Sequence, residues 1–390
     1  MEFTVNMPVK IFSGTDSLLE LPVFLKNFGI KGLLISFKEL HAQIDQLDLA
    51  LKTSNIQMTK FFLENPEPTT EFIDKTALDF SSQKFDFIIG LGGGSAIDMA
   101  KSLSIALTNQ DDIWNYANLS NRSPKPIDNE GIPVIAIPTT SGTGSEVTPY
   151  AVLSKEDTKQ KGTIQDPKIF PVAAFIEPKL MISMPKELTI STALDAFSHS
   201  LESFINISKY SPISEITSIE ALKIIFNNLP LVLKDPENLE LRMNLAWAST
   251  LSGISISHRG TTTIHAIAEP LGALTHLPHA HCVSISILPV LKVSIEHSFE
   301  KFALLYEKIF PNDTFDNRYD LANSLYQKIE NLIIEVEMNR TLEYYIKLDN
   351  KEKFIEKLQE NIFRYKFRPL KQHPVQFSEG MIKQTLSKIV

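Results

Sequence analysis

The chain has 390 residues, enough for two domains or one large one, and its 43 % hydrophobic and 22 % charged composition is that of an ordinary globular protein. A formal net charge of −8 argues against a nucleic-acid partner or a polybasic membrane partner. The single cysteine, Cys282, excludes an internal disulfide and fits a reducing cytoplasm. The opening MEFTVNMPVK lacks the basic-then-apolar pattern of a signal peptide. Residues 271–291 carry no formal charge but contain three histidines and two prolines, which predicts a loop and a buried helix rather than a membrane span.

The first half alternates strands and helices. GLLIS (32–36), FDFIIGL (85–91), PVIAIP (133–138) and VAAFI (172–176) are continuous apolar runs, as expected of parallel strands covered on both faces. TTEFIDKTALDFSSQ and SAIDMAKSLSIAL between them have helical spacing. This predicts a doubly wound α/β domain with a parallel sheet over residues 1–183. From about Met181 the pattern is helical. PISEITSIEALKIIFNNLPLVL, ENLELRMNLAWASTLSGISIS and RYDLANSLYQKIENLIIEVEM have the period and length of helices, so residues 184–390 read as an all-α domain. Two prolines near 177–189 mark the change.

Two loops follow predicted strands. Gly92-Gly93-Gly94-Ser95 stands between a strand and a helix, where glycines let the backbone approach a ligand and the helix start offers free N–H groups to a pyrophosphate. The G-x-G-x-x-G spacing is absent: counted from Gly90, the last glycine's place is held by Ser95. A tight strand-to-helix turn explains the same residues. IPTTSGTGSEVTPY adds Thr139, Thr140, Ser141, Thr143 and Ser145 with Gly142 and Gly144. Two such loops at strand C-termini suit a dinucleotide crevice; a solvated hydroxyl loop is the plainer reading of the second.

In LDAFSHSLES, Asp195 and His199 are four apart and share a helix face, either as metal ligands or as a pair that supports the helix. Residues 263–281 hold four of the nine histidines. His265 lies in a helical turn that Pro270 is expected to end after Glu269, LGALTHLP is then a loop, and His279 begins the next helix. One carboxylate and three imidazoles suit iron(II) or zinc and not calcium or magnesium.

GGGSAIDMAK, PTTSGTGSEVT, EPKLMISMPKELT, LDAFSHSLES and HAIAEPLGALTHLPH occur in one order along nearly the full length. In this the chain resembles the iron-containing alcohol dehydrogenases, whose fold relatives include glycerol dehydrogenase and dehydroquinate synthase. The resemblance implies an N-terminal dinucleotide-binding α/β domain and a helical C-terminal domain, the dehydroquinate synthase-like fold. It implies Asp195, His199, His265 and His279 as ligands of iron or zinc. It places Gly93, Gly94 and Ser95 on the cofactor diphosphate, Thr139, Thr140 and Thr143 along the nicotinamide and ribose, and Lys161 on the cofactor. The reaction implied is hydride transfer between NAD or NADP and a small alcohol or aldehyde, with the metal as Lewis acid on the substrate oxygen. A cytoplasmic homodimer or higher homo-oligomer is implied too.

Three positions depart from the family pattern. Glu269 stands where the family usually has a second histidine near the nicotinamide. It is expected to accept a proton, touch the metal, or pair with Arg259. Phe37, followed by Lys38, replaces the aspartate that NAD-preferring members carry at the end of the first helix-linked strand, so NADP stays open beside NAD. HAH at 279–281 replaces histidine-glycine, and His281 is expected along the pocket wall with a catalytic role, or in plain packing. Arg259, with His258, would favour an anionic aldehyde if it faced the pocket. The alternatives are a synthase-type relative that uses metal and NAD without net NADH production, and a nucleotide-binding protein that has lost turnover.

Overall fold

The structure, a computed structural model, describes residues 2–65, 67–119, 122–158, 160–313 and 317–390. The chain divides into two compact units: Met7–Met184 with Pro236–Gly253, and Met1–Asn6 with Pro185–Asp235 and Ile254–Val390.

The first unit is built on β1 (Lys10–Ser13), β2 (Lys31–Phe37), β3 (Gln57–Leu63), β4 (Phe87–Gly92), β6 (Val134–Pro138) and β9 (Ala173–Ile176), which form one parallel sheet in the order β1-β9-β6-β4-β2-β3. Successive side chains of a strand point to opposite faces. Leu33, Ile35 and Ile88 therefore enter one core, while Leu34, Phe87, Ile89 and Leu91 enter the other. Burial on both faces is the physical reason these strands read as unbroken apolar runs.

All four predicted strands are present. The edge strands β1 and β3 have half-exposed residues and no such run, which is why periodicity passes over them. A small antiparallel sheet of β5 (Ala117–Asn118), β7 (Tyr150–Lys155) and β8 (Gln160–Gln165), in the order β5-β8-β7, is likewise silent in the sequence. Its polar, lysine-bearing strands carry little apolar alternation.

β3 lies on one side of β2 and β4 on the other, so the winding direction changes there. Ligands of open α/β sheets bind beyond the strand C-termini at such a switch point. Phe37 closes β2 and Gly92 closes β4.

The second unit is helical. Its central helix, Lys186–Ile205, is buried without a break from Thr189 to Ile205. A helix with no solvent face must satisfy its polar side chains inside the protein. The Leu239–Arg259 helix is shared, counted with the first unit as far as Gly253 and with the second from Ile254.

One expectation fails. Pro270 does not end its helix, which runs Thr263–Thr275 and is closed by left-handed His276, whose N–H donates to the Gly272 carbonyl at 2.8 Å. Proline removes one backbone bond, but its φ is helical. Buried Ile267, Ala268, Leu271 and Gly272 on either side hold the turn in place.

Candidate metal centre and dinucleotide loops

Asp195 and His199 come from the central helix, His265 from the first turn of Thr263–Thr275, and His279 from the first position of the His279–His297 helix. Three imidazoles face one carboxylate oxygen. Asp195 Oδ1 is 3.4 Å from His265 Nε2 and 3.8 Å from both His199 Nε2 and His279 Nε2. Ligand atoms of Asp195, His265 and His279 lie within 4.8 Å of one another. His199 stands beside this trio, its ring stacked on that of His265 at 4.5 Å.

Asp195 Oδ1 and His265 Nε2 are buried and make no hydrogen bond. Leaving such atoms unpaired is costly, and a cation relieves it. Atoms about 2.1 Å from a tetrahedral metal lie about 3.4 Å apart, close to the spacing seen here. The nitrogen and oxygen donors therefore fit iron or zinc. The His279 side chain is 35 % exposed against 8 % or less for the other three, so this corner opens outward.

The charges point the same way. Burial works against ionisation of Asp195, yet the imidazoles, His199 foremost, hold its carboxyl well below the usual carboxylate range. Burial likewise works against protonation of His265, yet Glu202 and then Asp195 push it up to about 10. His199 is pulled down by burial to about 4, against the charge of Asp195. Two carboxylates here call for positive charge between them.

Glu202 escaped the sequence reading. It is wholly buried, three residues past His199 on the same helix, and its Oε2 receives a short hydrogen bond from His265 Nδ1. Its Oε1 accepts from Thr262 N at 3.0 Å, Thr262 Oγ1 at 2.9 Å and Ile264 N at 2.8 Å. The signal available was its spacing from Asp195 and His199, which puts all three on neighbouring turns.

Glu269 shares a helix face with His265. It pairs with Lys366, not with Arg259. Burial raises its carboxyl, and Lys366, then His279 and His265, bring it below the ordinary value. Arg259 is buried, its Nη1 donating to the Phe204 carbonyl at 3.4 Å, and His258 bonds the Ile254 carbonyl through Nδ1. His281 Nε2 bonds Glu187 at 3.1 Å, and its ring meets Tyr345 edge-on.

In the α/β unit the two predicted loops come together. Thr139 N–H donates to the Gly92 carbonyl at 2.9 Å. A Cβ on Gly93 would lie 3.2 Å from Thr140 Oγ1, and one on Gly94 2.8 Å from Thr143 Cγ2. Gly93 caps the Gly94–Ala106 helix without a side-chain bond, so the first N–H groups, including that of Ser95, are left for a ligand. This cradle fits a dinucleotide phosphate. Phe37 packs beside it, its ring 3.9 Å from where a Gly92 Cβ would be. Behind the loop, buried Lys101 donates to Ser145 Oγ and the Tyr150 carbonyl, both at 2.8 Å, and Ser145 Oγ donates to Asp98 at 2.5 Å. Burial pushes the Lys101 amine down to about 8 against the charges of Asp98 and Glu146. Gly144, at φ +61°, lies so near Gly253 that a Cβ on Gly144 would meet the Gly253 Cα at 2.5 Å. Lys161, on β8, donates to Glu67 at 2.6 Å.

Sequence-family models match both parts of the chain: "Iron-containing alcohol dehydrogenase" over residues 8–178 and "Fe-containing alcohol dehydrogenase family, C-terminal" over residues 189–390. The chain belongs to the iron-containing alcohol dehydrogenase family. It is 30 % identical to the 1,3-propanediol dehydrogenase of Klebsiella pneumoniae over 313 residues, 79 % of each chain. It is 29 % identical to long-chain-alcohol dehydrogenase 1 of Geobacillus thermodenitrificans over 333 residues, 84 % of this chain and 83 % of that one. Its fold matches an archaeal halo-thermophilic alcohol dehydrogenase from a Red Sea brine pool with a TM-score of 0.91 at 27 % identity, covering 100 % of this chain and 99 % of the other. As a member of the iron-containing alcohol dehydrogenases, the protein is an oxidoreductase acting on CH–OH groups. The C-terminal family match contains Asp195, His199, His265 and His279 together.

Proposed function

We propose that the protein is a metal-dependent alcohol dehydrogenase or aldehyde reductase that moves hydride between NAD or NADP and a small alcohol or aldehyde. The observation that carries this reading is the convergence of three imidazoles on the unbonded Oδ1 of Asp195. Asp195, His199, His265 and His279 are the ligands of iron or zinc. The bound ion supplies Lewis acidity to the oxygen of the alcohol or aldehyde. Gly93, Gly94 and Ser95 take the cofactor diphosphate, with Thr139, Thr140 and Thr143 lining the next part of the dinucleotide and Lys161 at its edge. Phe37 underlies the adenosine end, and with no acid at Phe37 or Lys38 both cofactors are open to it.

Glu269 takes the proton that leaves an oxidised alcohol. The Lys366 ammonium keeps the carboxylate ionised and ready to accept it. His281 acts through the wall it builds with Glu187 and Tyr345. Arg259 donates to the Phe204 carbonyl while its buried Nε has no hydrogen-bond partner among the described residues, and a small anionic aldehyde stays among the candidate substrates. The lone, buried Cys282 supports a reducing cytoplasm, and the family resemblance supports a homo-oligomer.

Metal analysis of purified protein, followed by an aldehyde panel run separately with NADH and NADPH, tests the reading. Bound iron or zinc and aldehyde-dependent oxidation of a reduced cofactor are expected. Protein that neither carries nor takes up a divalent metal overturns it.

A further inference from the structure

We propose that Glu202 is the positioning residue of the metal centre: it fixes the tautomer of His265, so that Nε2 presents its lone pair to the metal. The inference rests on the metal reading above and adds a residue to it.

Both oxygens of Glu202 are committed, and to different tasks. Oε1 serves the backbone. Thr262, the residue before the Thr263–Thr275 helix, makes no side-chain cap of its own, and Glu202 Oε1 accepts from Thr262 N, Ile264 N and, at 3.4 Å, His265 N instead. A carboxylate at a helix start also complements the helix dipole. Oε2 serves His265 Nδ1 and also accepts from Ser198 Oγ at 3.4 Å. An ionised carboxylate accepts and cannot donate, so Nδ1 must carry the proton. With Nδ1–H committed to Glu202, Nε2 is the ring nitrogen left for a metal, which displaces any proton there on binding, and it is the one that faces Asp195 at 3.4 Å without a hydrogen bond.

Capping needs one oxygen, so a cap alone leaves Oε2 unexplained. The support continues outward. Thr262 Oγ1 donates to Glu202, which leaves its lone pair to His373 Nδ1 at 3.0 Å, and His373 Nε2 meets Ser294 Oγ at 2.9 Å. Ser294 Oγ in turn donates to the Val290 carbonyl at 2.7 Å, so the ring of His373 is held from both sides behind Thr262.

Glu202→Gln separates the two tasks. Its amide oxygen still caps the helix, but its amide nitrogen donates toward Nδ1, which moves the His265 proton to Nε2 and blocks the ligand. The measurement is zinc(II) affinity of the metal-stripped full chain, by competition with a chromogenic chelator, alongside its melting temperature. Wild type, Glu202→Gln, His265→Ala and the double variant are compared. We expect Glu202→Gln to weaken zinc binding about 10- to 100-fold, with no further loss when added to His265→Ala. Wild-type affinity in Glu202→Gln, whatever its melting temperature, overturns the proposal, and so do losses that multiply in the double variant. If stripped Glu202→Gln does not fold, Thr262→Val, which removes one donor to Glu202, is expected to weaken zinc about two- to fivefold; an unchanged affinity there overturns it. Failure of the metal reading looks different: wild type binds no zinc, or His265→Ala binds it as tightly as wild type.

Discussion

The proposed metal centre and the proposed dinucleotide cradle are built by opposite means. The centre gathers charged side chains in a place where charge is expensive, and each is held by another: Asp195 by three imidazoles, His265 by Glu202, Glu269 by Lys366. The cradle is built from what is missing. Gly93 and Gly94 have no side chain, the helix start has no cap, and Thr140 and Thr143 close against the space a Cβ would occupy. One site is therefore vulnerable to removing a group and the other to adding one.

The largest expected effect comes from removal. His265→Ala takes away a ligand and leaves Asp195 and Glu202 buried without their partner. We expect loss of bound metal and a fall of roughly 10³-fold in turnover, checked by metal analysis and steady-state kinetics. Addition comes next. Gly94→Val sets methyl groups against Thr143, where even a Cβ would be 2.8 Å from Cγ2. NADH affinity should fall roughly 10- to 100-fold by fluorescence titration while metal content stays at the wild-type level. A loss of metal in this variant would erase the contrast between the two sites.

Lys366→Met sharpens the comparison within the metal centre. It leaves the part-buried Glu269 carboxylate without its ammonium partner, and we expect about 2 kcal/mol of destabilisation in denaturant melts near neutral pH. Because Lys366 holds the Glu269 carboxyl below its ordinary value, the wild-type advantage is present above that value and fades as pH falls through the lowered one. The last test takes the exception, a charge buried behind the cradle. The Lys101 amine is lowered from 10.5 to about 8, so between these pH values the unfolded chain holds a proton that the folded one has shed. Wild-type stability should rise with pH across that window by up to about 1.4 kcal/mol per unit. Lys101→Met should lack this rise in paired melts.

The same contrast explains what could be read in advance. Asp195 and His199 announce themselves by spacing on a helix, and Gly92 to Ser95 by composition after an apolar strand. Strands buried on both faces were legible because burial demands apolar side chains throughout. Glu202 was not legible: on a helix, a carboxylate after SHSL reads as a solvated face until the helix proves to have none. Pro270 was misread because its local preference yields to the packing of Leu271 and Gly272. The partner of Glu269 lies 97 residues away, at Lys366, where no local pattern points. Lys161 and its sheet left only a polar, weakly alternating trace.

The meeting of Gly144 and Gly253 has a consequence for how this chain can change over generations. Neither position can take even an alanine while the other backbone stays where it is, since a Cβ on Gly253 would lie 2.5 Å from the Gly144 carbonyl oxygen. Any lineage that alters one must first move a loop or a helix, so single-step routes are closed from both sides. Two glycines distant in the sequence are thereby bound into one inherited unit. A descendant that keeps this fold but has lost one of them should show a compensating rearrangement at the other.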